Sequence, residues 1–336
     1  MQTAQTQTAS IGQLELRLGG VLADARLAYC SYGRLAPGGR NAILVTHGFT
    51  SSHQFIEQGG WGSLLGPGRP LDTDRFFVVS SNMLGSSFGS TAPASIDPAS
   101  GRPDGPDFPA ITVADMVLAQ RRLLDALGVQ QLVAVIGPSY GGFQAFTWGV
   151  EFPDFMRALV PVESAPRAQQ PFDDAALLRR LAGDPQWNGG HYYGSHGVLQ
   201  TMTALRIETL RRYGAEQGLR AQGLDVAAIE AELLRQARPW AQSFDAHSLL
   251  ALGRAINRYD VTDQLHRIRA RVSYLLSRTD TVFPPSLAAP VMHALHSAGV
   301  DARYLEIDTE HGHLGSDLDV AQWAPVLSGF LDELAG

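Results

Sequence analysis

The sequence predicts an α/β protein with a mostly parallel central sheet and an inserted helical segment. Three observations carry this. Short apolar runs recur between helical patterns, and several end in Gly, Asn, Ser or Asp, the pattern of buried parallel strands. The first two candidate strands alternate apolar and polar residues instead, as a half-exposed antiparallel pair does. From about Arg167 to Val261 there are helical periods and no convincing strand, after which strand and helix alternate again.

In chain order, residues 1–11 are expected to form a flexible tail, because Met1 to Ser10 are rich in Gln, Thr and Ala. The antiparallel pair is expected at Gln13–Leu18 and Leu22–Ser31. Buried strands follow at Ala42–Val45, Phe76–Val79, Leu132–Ile136, Ala158–Val162, Val272–Leu276 and Tyr304–Ile307. The turn-rich stretch Gly85–Phe108 reads as a long surface excursion of the kind that lines sites. Thr112–Leu127 is the clearest helix: Thr112 and Asp115 match a capping box, apolar residues recur at helical spacing, and Gly128 closes it. Residues 12–166 and 262–334 are thus expected to form one core domain. Residues 167–261 form a nested lid with helices at Asp173–Leu181, Val198–Tyr213, Val226–Ala237 and Ser243–Ile256.

Composition excludes several chemistries. The 336 residues carry a net charge of −7, and all 26 of the Lys+Arg count are arginine. Without lysine there is no Schiff-base, pyridoxal-phosphate or phosphate-loop lysine. The acidic balance, with no arginine-dense stripe, argues against a nucleic-acid partner. No run approaches a membrane span, no basic region precedes an apolar run at the N-terminus, and the lone Cys30 suits a reducing compartment; a cytoplasmic protein is expected.

The chemistry centres on Gly137-Pro-Ser-Tyr-Gly141 between a buried strand and a helix-compatible run that Pro153 ends. This arrangement forces a sharp turn that lifts the Ser139 hydroxyl above the sheet edge, and the following helix N-terminus leaves the Tyr140 N–H free for an oxyanion. A serine needs a base and an acid, expected later in the order Asp, His. Asp280 follows the strand Val272–Leu276. His311 and His313 both follow Tyr304–Ile307; His313, after Gly312 and one step farther from the strand end, is preferred as base, and His311 stays open as the alternative. The His311-x-His313 pair has no cysteine or third histidine nearby to complete a metal site, so no metal is expected. His47-Gly-Phe-Thr50, after an early strand, offers the Phe49 N–H as the second oxyanion donor. His191, His196, His247, His266, His293 and His296 read as surface or packing residues.

From about Gly12 to Leu331 the chain resembles the homoserine O-acetyltransferase family of the α/β-hydrolase superfamily. The resemblance rests on Asn41-Ala-Ile-Leu-Val-Thr-His-Gly-Phe-Thr-Ser-Ser-His53, on Gly66–Phe77, on Asn82 through Gly89-Ser-Thr91, on Gly105-Pro-Asp-Phe-Pro109 with Thr112–Gln120, and on the Ser139 elbow. Asp184-Pro-Gln-Trp-Asn-Gly-Gly190 with Tyr192 and Phe244-Asp-Ala-His-Ser248 extend it into the lid. It implies an α/β-hydrolase fold and a serine that takes an acyl group from acyl-CoA and passes it to an amino-acid hydroxyl, beneath a lid that also helps form a homodimer. By position it implies the triad Ser139, Asp280 and His313, with acyl-CoA as co-substrate and no bound cofactor. Two departures fall where the acceptor would be held. Leu314 stands where the family has an aspartate suited to the acceptor ammonium. Thr201 and Met202 align with its Ala-Arg pair, whose guanidinium suits the carboxylate, and Arg206 lies one helical turn further on. Pro138 and Tyr140 also depart from the family's elbow.

Three functions follow. The leading one is an acyl transfer enzyme with an acceptor other than homoserine. The second is a carboxylic ester hydrolase using the same groups with water as acceptor. The third is a non-catalytic ligand-binding protein on this fold.

Overall fold

The computed structural model describes residues 5–97, 100–194 and 197–335. Met1–Ala4 of the expected tail, and His196, lie outside them. Eight strands form one sheet in the order β1-β2-β4-β3-β5-β6-β7-β8: β1 Gln7–Glu15, β2 Val21–Tyr32, β3 Ala42–Thr46, β4 Phe77–Ser81, β5 Leu132–Pro138, β6 Met156–Val162, β7 Arg271–Ser277 and β8 Ala302–Ile307. Pairs β1–β2 and β2–β4 are antiparallel and the rest parallel. Strands β3 and β5 are buried almost throughout, because helices cover both faces of the parallel part.

One strand starts earlier than its composition suggests. Gln7 to Ser10 pair with Tyr29 to Arg26 of β2, so residues from Gln7 onward are not a tail. As an edge strand, β1 keeps most of its side chains in solvent, which explains its polar composition. It also ends earlier than expected, where Leu16 and Gly19–Gly20 close a turn. The excursion after β4 is only partly on the surface: Leu84–Ser87 are buried. The Asn82 side chain donates to the Ser87 carbonyl at 2.6 Å and the Ser90 hydroxyl to the Asn82 carbonyl at 3.0 Å, supplying partners that let this irregular backbone leave water.

Helix α1 (Val113–Ala126) begins with the Thr112–Asp115 capping box and precedes β5. Helix α2 (Tyr140–Glu151) follows β5 and is buried along nearly its whole length. Among the described residues five α-helices separate β6 from β7: α3 Asp174–Ala182, α4 Leu199–Arg212, α5 Ala215–Ala221, α6 Val226–Ser243 and α7 Ala246–Ile256. An antiparallel bridge between Arg167 and Asp260 ties the two ends of this segment together. The short α5 has no counterpart in the sequence reading. Helix α6 runs past the expected Ala237, through Pro239, to Ser243, while α7 starts only after Asp245, whose carboxylate caps the Ser248 N–H at 3.0 Å. Helices α8 (Ala288–Ser297), α9 (Gly315–Leu318) and α10 (Val320–Ala335) complete the chain.

Candidate active site

The elbow between β5 and α2 is shaped by what glycine permits. A Cβ on Gly137 would lie 2.1 Å from the Thr46 hydroxyl, and one on Gly141 would lie 2.5 Å from the Thr46 carbonyl, so only glycine lets the elbow close on β3. Between them Ser139 is held at φ 55°, ψ −119°, a strained conformation for a residue with a side chain. Ser164, just beyond β6, fixes it, its hydroxyl donating to the Ser139 carbonyl at 2.8 Å.

Ser139, His313 and Asp280 meet at the carboxyl ends of β5, β8 and β7. His313 Nε2 lies 2.9 Å from Ser139 Oγ, and His313 Nδ1 lies 2.7 Å from Asp280 Oδ2. The other Asp280 oxygen accepts the N–H groups of Val282 at 2.7 Å and Phe283 at 3.1 Å, so the carboxylate cannot rotate freely. Burial alone would lower the His313 pKa, but the charge and hydrogen bond of Asp280, with the charge of Glu163, outweigh it and leave the pKa above the ordinary histidine value. His313 packs between the rings of Tyr213, at the end of α4, and Phe283. His311 is not at the serine; its Nε2 lies 3.9 Å from Asp319.

Tyr140 is the first residue of α2, so its N–H has no intrahelical acceptor. Phe49 reaches the same place from the turn after β3, and its ring stacks on that of Tyr140 at 5.7 Å. His47 anchors this turn. Its Nε2 accepts the Met83 N–H at 3.0 Å and its Nδ1–H donates to the Gly48 carbonyl at 2.9 Å, while burial drives its pKa down to about 3, keeping it neutral.

A cavity of about 680 Å³ opens over Ser139 and His313, lined by Arg206 and Leu210 of α4, Tyr213 just after it and Trp240 of α6, with Leu314 in its wall. Met202 is not in this lining; it shares a stripe of α4 with Arg206 but lies one turn nearer the helix N-terminus, where it is buried beside a separate cavity of about 430 Å³ with Tyr192 and Phe244. The Thr201 hydroxyl is turned to Asp184. One turn further, Arg206 faces inward. Its Nη1 donates to the Thr50 hydroxyl at 2.8 Å, its guanidinium sits over the Trp240 ring, and its Nε is buried without a partner. Among the described residues Arg206 has no ion-pair partner, and burial lowers its pKa.

Three neighbours of the triad escape a reading of motifs. Glu163 and Ser164 directly follow β6, and Tyr213 directly follows α4. Glu163 had a usable signal: it is a carboxylate at the carboxyl end of the strand beside the one that leads to Ser139, where α/β sheets build their sites. Among the described residues no cluster of three or more His, Cys, Asp or Glu is placed to hold a metal ion, and no helix is long and apolar enough to cross a membrane.

Fold and elbow together define an α/β hydrolase, and the family model described as the alpha/beta hydrolase fold matches residues 41–317. The chain is 37% identical to the homoserine O-acetyltransferase of Symbiobacterium thermophilum and 38% identical to the homoserine O-succinyltransferase of Methylibium petroleiphilum. Each match covers 96% of this chain and 92% of the relative. The crystal structure of esterase E22 superposes with a TM-score of 0.86 at 26% identity, over 98% of this chain and all (100%) of that one. The chain belongs to the homoserine O-acetyltransferase-like family of α/β hydrolases, and it is an enzyme of the acyltransferase or hydrolase kind.

Proposed function

We propose that this protein transfers acyl groups through an acyl-Ser139 intermediate to an alcohol other than homoserine. The observation that carries the reading is the unbroken chain from Ser139 Oγ to His313 to Asp280, at 2.9 and 2.7 Å, beneath a lid cavity. Ser139 Oγ attacks the carbonyl carbon of an ester or thioester while His313 Nε2 takes the hydroxyl proton. The N–H groups of Phe49 and Tyr140 hold the oxyanion, each worth about 2.7–4 kcal/mol in the transition state. The tetrahedral intermediate collapses, His313 returns the proton to the departing alkoxide or thiolate, and the acyl group stays on Ser139. An acceptor alcohol then gives its proton to His313 and takes the acyl group by the reverse sequence. Acyl-CoA is the donor that this family relationship suggests, and no cofactor is required.

The acceptor reading rests on Leu314. An amino-acid acceptor presents an ammonium and a carboxylate, and Arg206 suits the carboxylate. At the other end Leu314 offers no charge. Of the two carboxylates in the cavity wall, Asp317 already accepts the Trp61 N–H at 3.0 Å and Glu163 is engaged by two serines. Losing one charge-assisted contact costs roughly 1.5–3 kcal/mol of acceptor affinity.

Ester hydrolysis is the second reading, favoured by the same apolar Leu314 and by the relationship to esterase E22. Arg206 would then meet the acid portion or leaving group of an anionic ester. Intact mass and thiol release after mixing with acetyl-CoA, and separately with a short activated ester, test both against a Ser139→Ala control. Ser139-dependent thiol release supports transfer. Ester turnover with inert acetyl-CoA supports hydrolysis. No Ser139-dependent acylation by either donor would refute the nucleophile and leave the non-catalytic reading. Homodimerisation through the lid is a separate proposal, tested by sedimentation of the full chain.

A further inference from the structure

Glu163 is a second carboxylate at the triad for which the acyl-transfer chemistry above has no use. It is 1% exposed, directly follows β6, and keeps φ at 47°, one of four non-glycine residues with positive φ among those described; another is Ser139. A strained backbone beside a reacting centre persists only where its surroundings hold it. Its Oε1 accepts the Ser277 hydroxyl at 2.5 Å and the Ser316 N–H at 2.9 Å, and its Oε2 accepts the Ser316 hydroxyl at 2.6 Å.

These partners are informative by their positions. Ser277 ends β7, three residues before Asp280, and Ser316 comes three residues after His313. One buried side chain thus ties the loop that carries the acid to the loop that carries the base, and ties both to the strand next to the nucleophile. The backbone repeats the arrangement: the Glu163 N–H donates to Leu275 of β7, and Ser164 holds the Ser139 carbonyl.

The geometry points to Glu163 as a positioning residue for His313, acting both as the clamp between the β7 and β8 loops and as a second negative charge that favours the imidazolium formed during acyl transfer. This rests on His313 being the base. The charged groups facing Glu163 are Asp280 and His313, and those acting on His313 are Asp280 and Glu163; from the lid, His313 meets the Tyr213 ring, whose phenol burial keeps protonated. Burial also pushes Glu163 itself up to about 7, so it changes charge in the range where His313 does, and the two titrate as a coupled pair.

The test compares wild type with Glu163→Gln, which keeps the shape and a carbonyl acceptor but removes the charge. The His313 titration is followed by histidine NMR, and the acid limb of kcat/KM by turnover of a short activated ester. With the carboxylate gone the imidazolium is less favoured, so both should move to lower pH, by on the order of one unit. Ser277→Ala, which withdraws one donor and leaves the charge, should move them the same way by less. If Glu163→Gln fails to fold, Ser277→Ala carries the test. Unchanged or upward-shifted His313 titration in a folded variant would overturn the assignment. The NMR arm keeps this separate from the nucleophile question, because His313 titrates whether or not Ser139 is acylated.

Discussion

Asp280→Asn is the most discriminating change at the triad. In the native site, Oδ1 accepts two backbone N–H groups, from Val282 and Phe283, while Oδ2 faces His313 Nδ1. An asparagine has one acceptor oxygen to offer. If its amide nitrogen faced Val282 and Phe283, donor would meet donor twice in a buried position, so the carbonyl must take that side and the NH2 must face Nδ1. His313 Nδ1 then has to accept, which moves the ring proton to Nε2, the nitrogen opposite Ser139 Oγ. Nε2 can no longer take the serine proton. The shape of the site is preserved while its tautomer is reversed, and the expected loss in kcat is about 10⁴-fold, or about 5 kcal/mol of transition-state stabilisation. Pre-steady-state acylation by an activated ester, with thermal unfolding as the control for folding, reads this directly. A folded Asp280→Asn variant within tenfold of wild type would refute the orientation of the triad derived above.

Other predictions are independent of that one. Gly137→Ala should destabilise the fold by about 1–3 kcal/mol, since its Cβ meets Thr46 at both hydroxyl and carbonyl; a melting curve unchanged from wild type would contradict the close approach of elbow and β3. Leu314→Asp supplies the missing charge in the cavity that Arg206 also lines and should raise acyl transfer to homoserine at least tenfold relative to hydrolysis, read by product analysis with a fixed donor. Arg206→Met should raise KM for carboxylate-bearing substrates by roughly 10–100-fold while sparing neutral esters, and equal losses for both would remove its anion-binding role. Glu163 also has a stability signature. Its folded pKa is raised, so its contribution is fully present below the unfolded value near 4.5 and is lost as pH rises through about 7. Glu163→Gln should flatten the decline in unfolding free energy across that window, and denaturant titrations at several pH values would show it.

Features whose cause is local are readable from the chain alone. The Thr112–Asp115 capping box starts α1 because both partners lie within one helical turn. The elbow was legible because Gly137 and Gly141 flank a serine between a buried run and a helix. The order serine, aspartate, histidine was readable from which residues stand at strand ends, with His311 and His313 both candidates for the last place. The early residues Gln7–Ser10 were not legible, since an edge strand leaves its side chains in water and takes its pairing from β2 rather than from its own pattern. Nor was α5, only seven residues long, whose stability comes from packing on α4 and α6.

Tertiary structure alone decided the rest. His311 and His313 have the same chemistry, and the left-handed turn at Gly312 lets only the second reach Ser139. Met202 and Arg206 share one stripe of α4, and only the placement of that helix, with Arg206 on Thr50 and Trp240, puts the guanidinium in the cavity over Ser139 and the thioether one turn away beside the other cavity. Glu163 acquires its neighbours because β6 lies between β5 and β7, which brings the ends of three strands to one edge. A carboxylate there is bound and charged according to residues more than a hundred positions away in the chain, and strand order rather than sequence proximity brings them together.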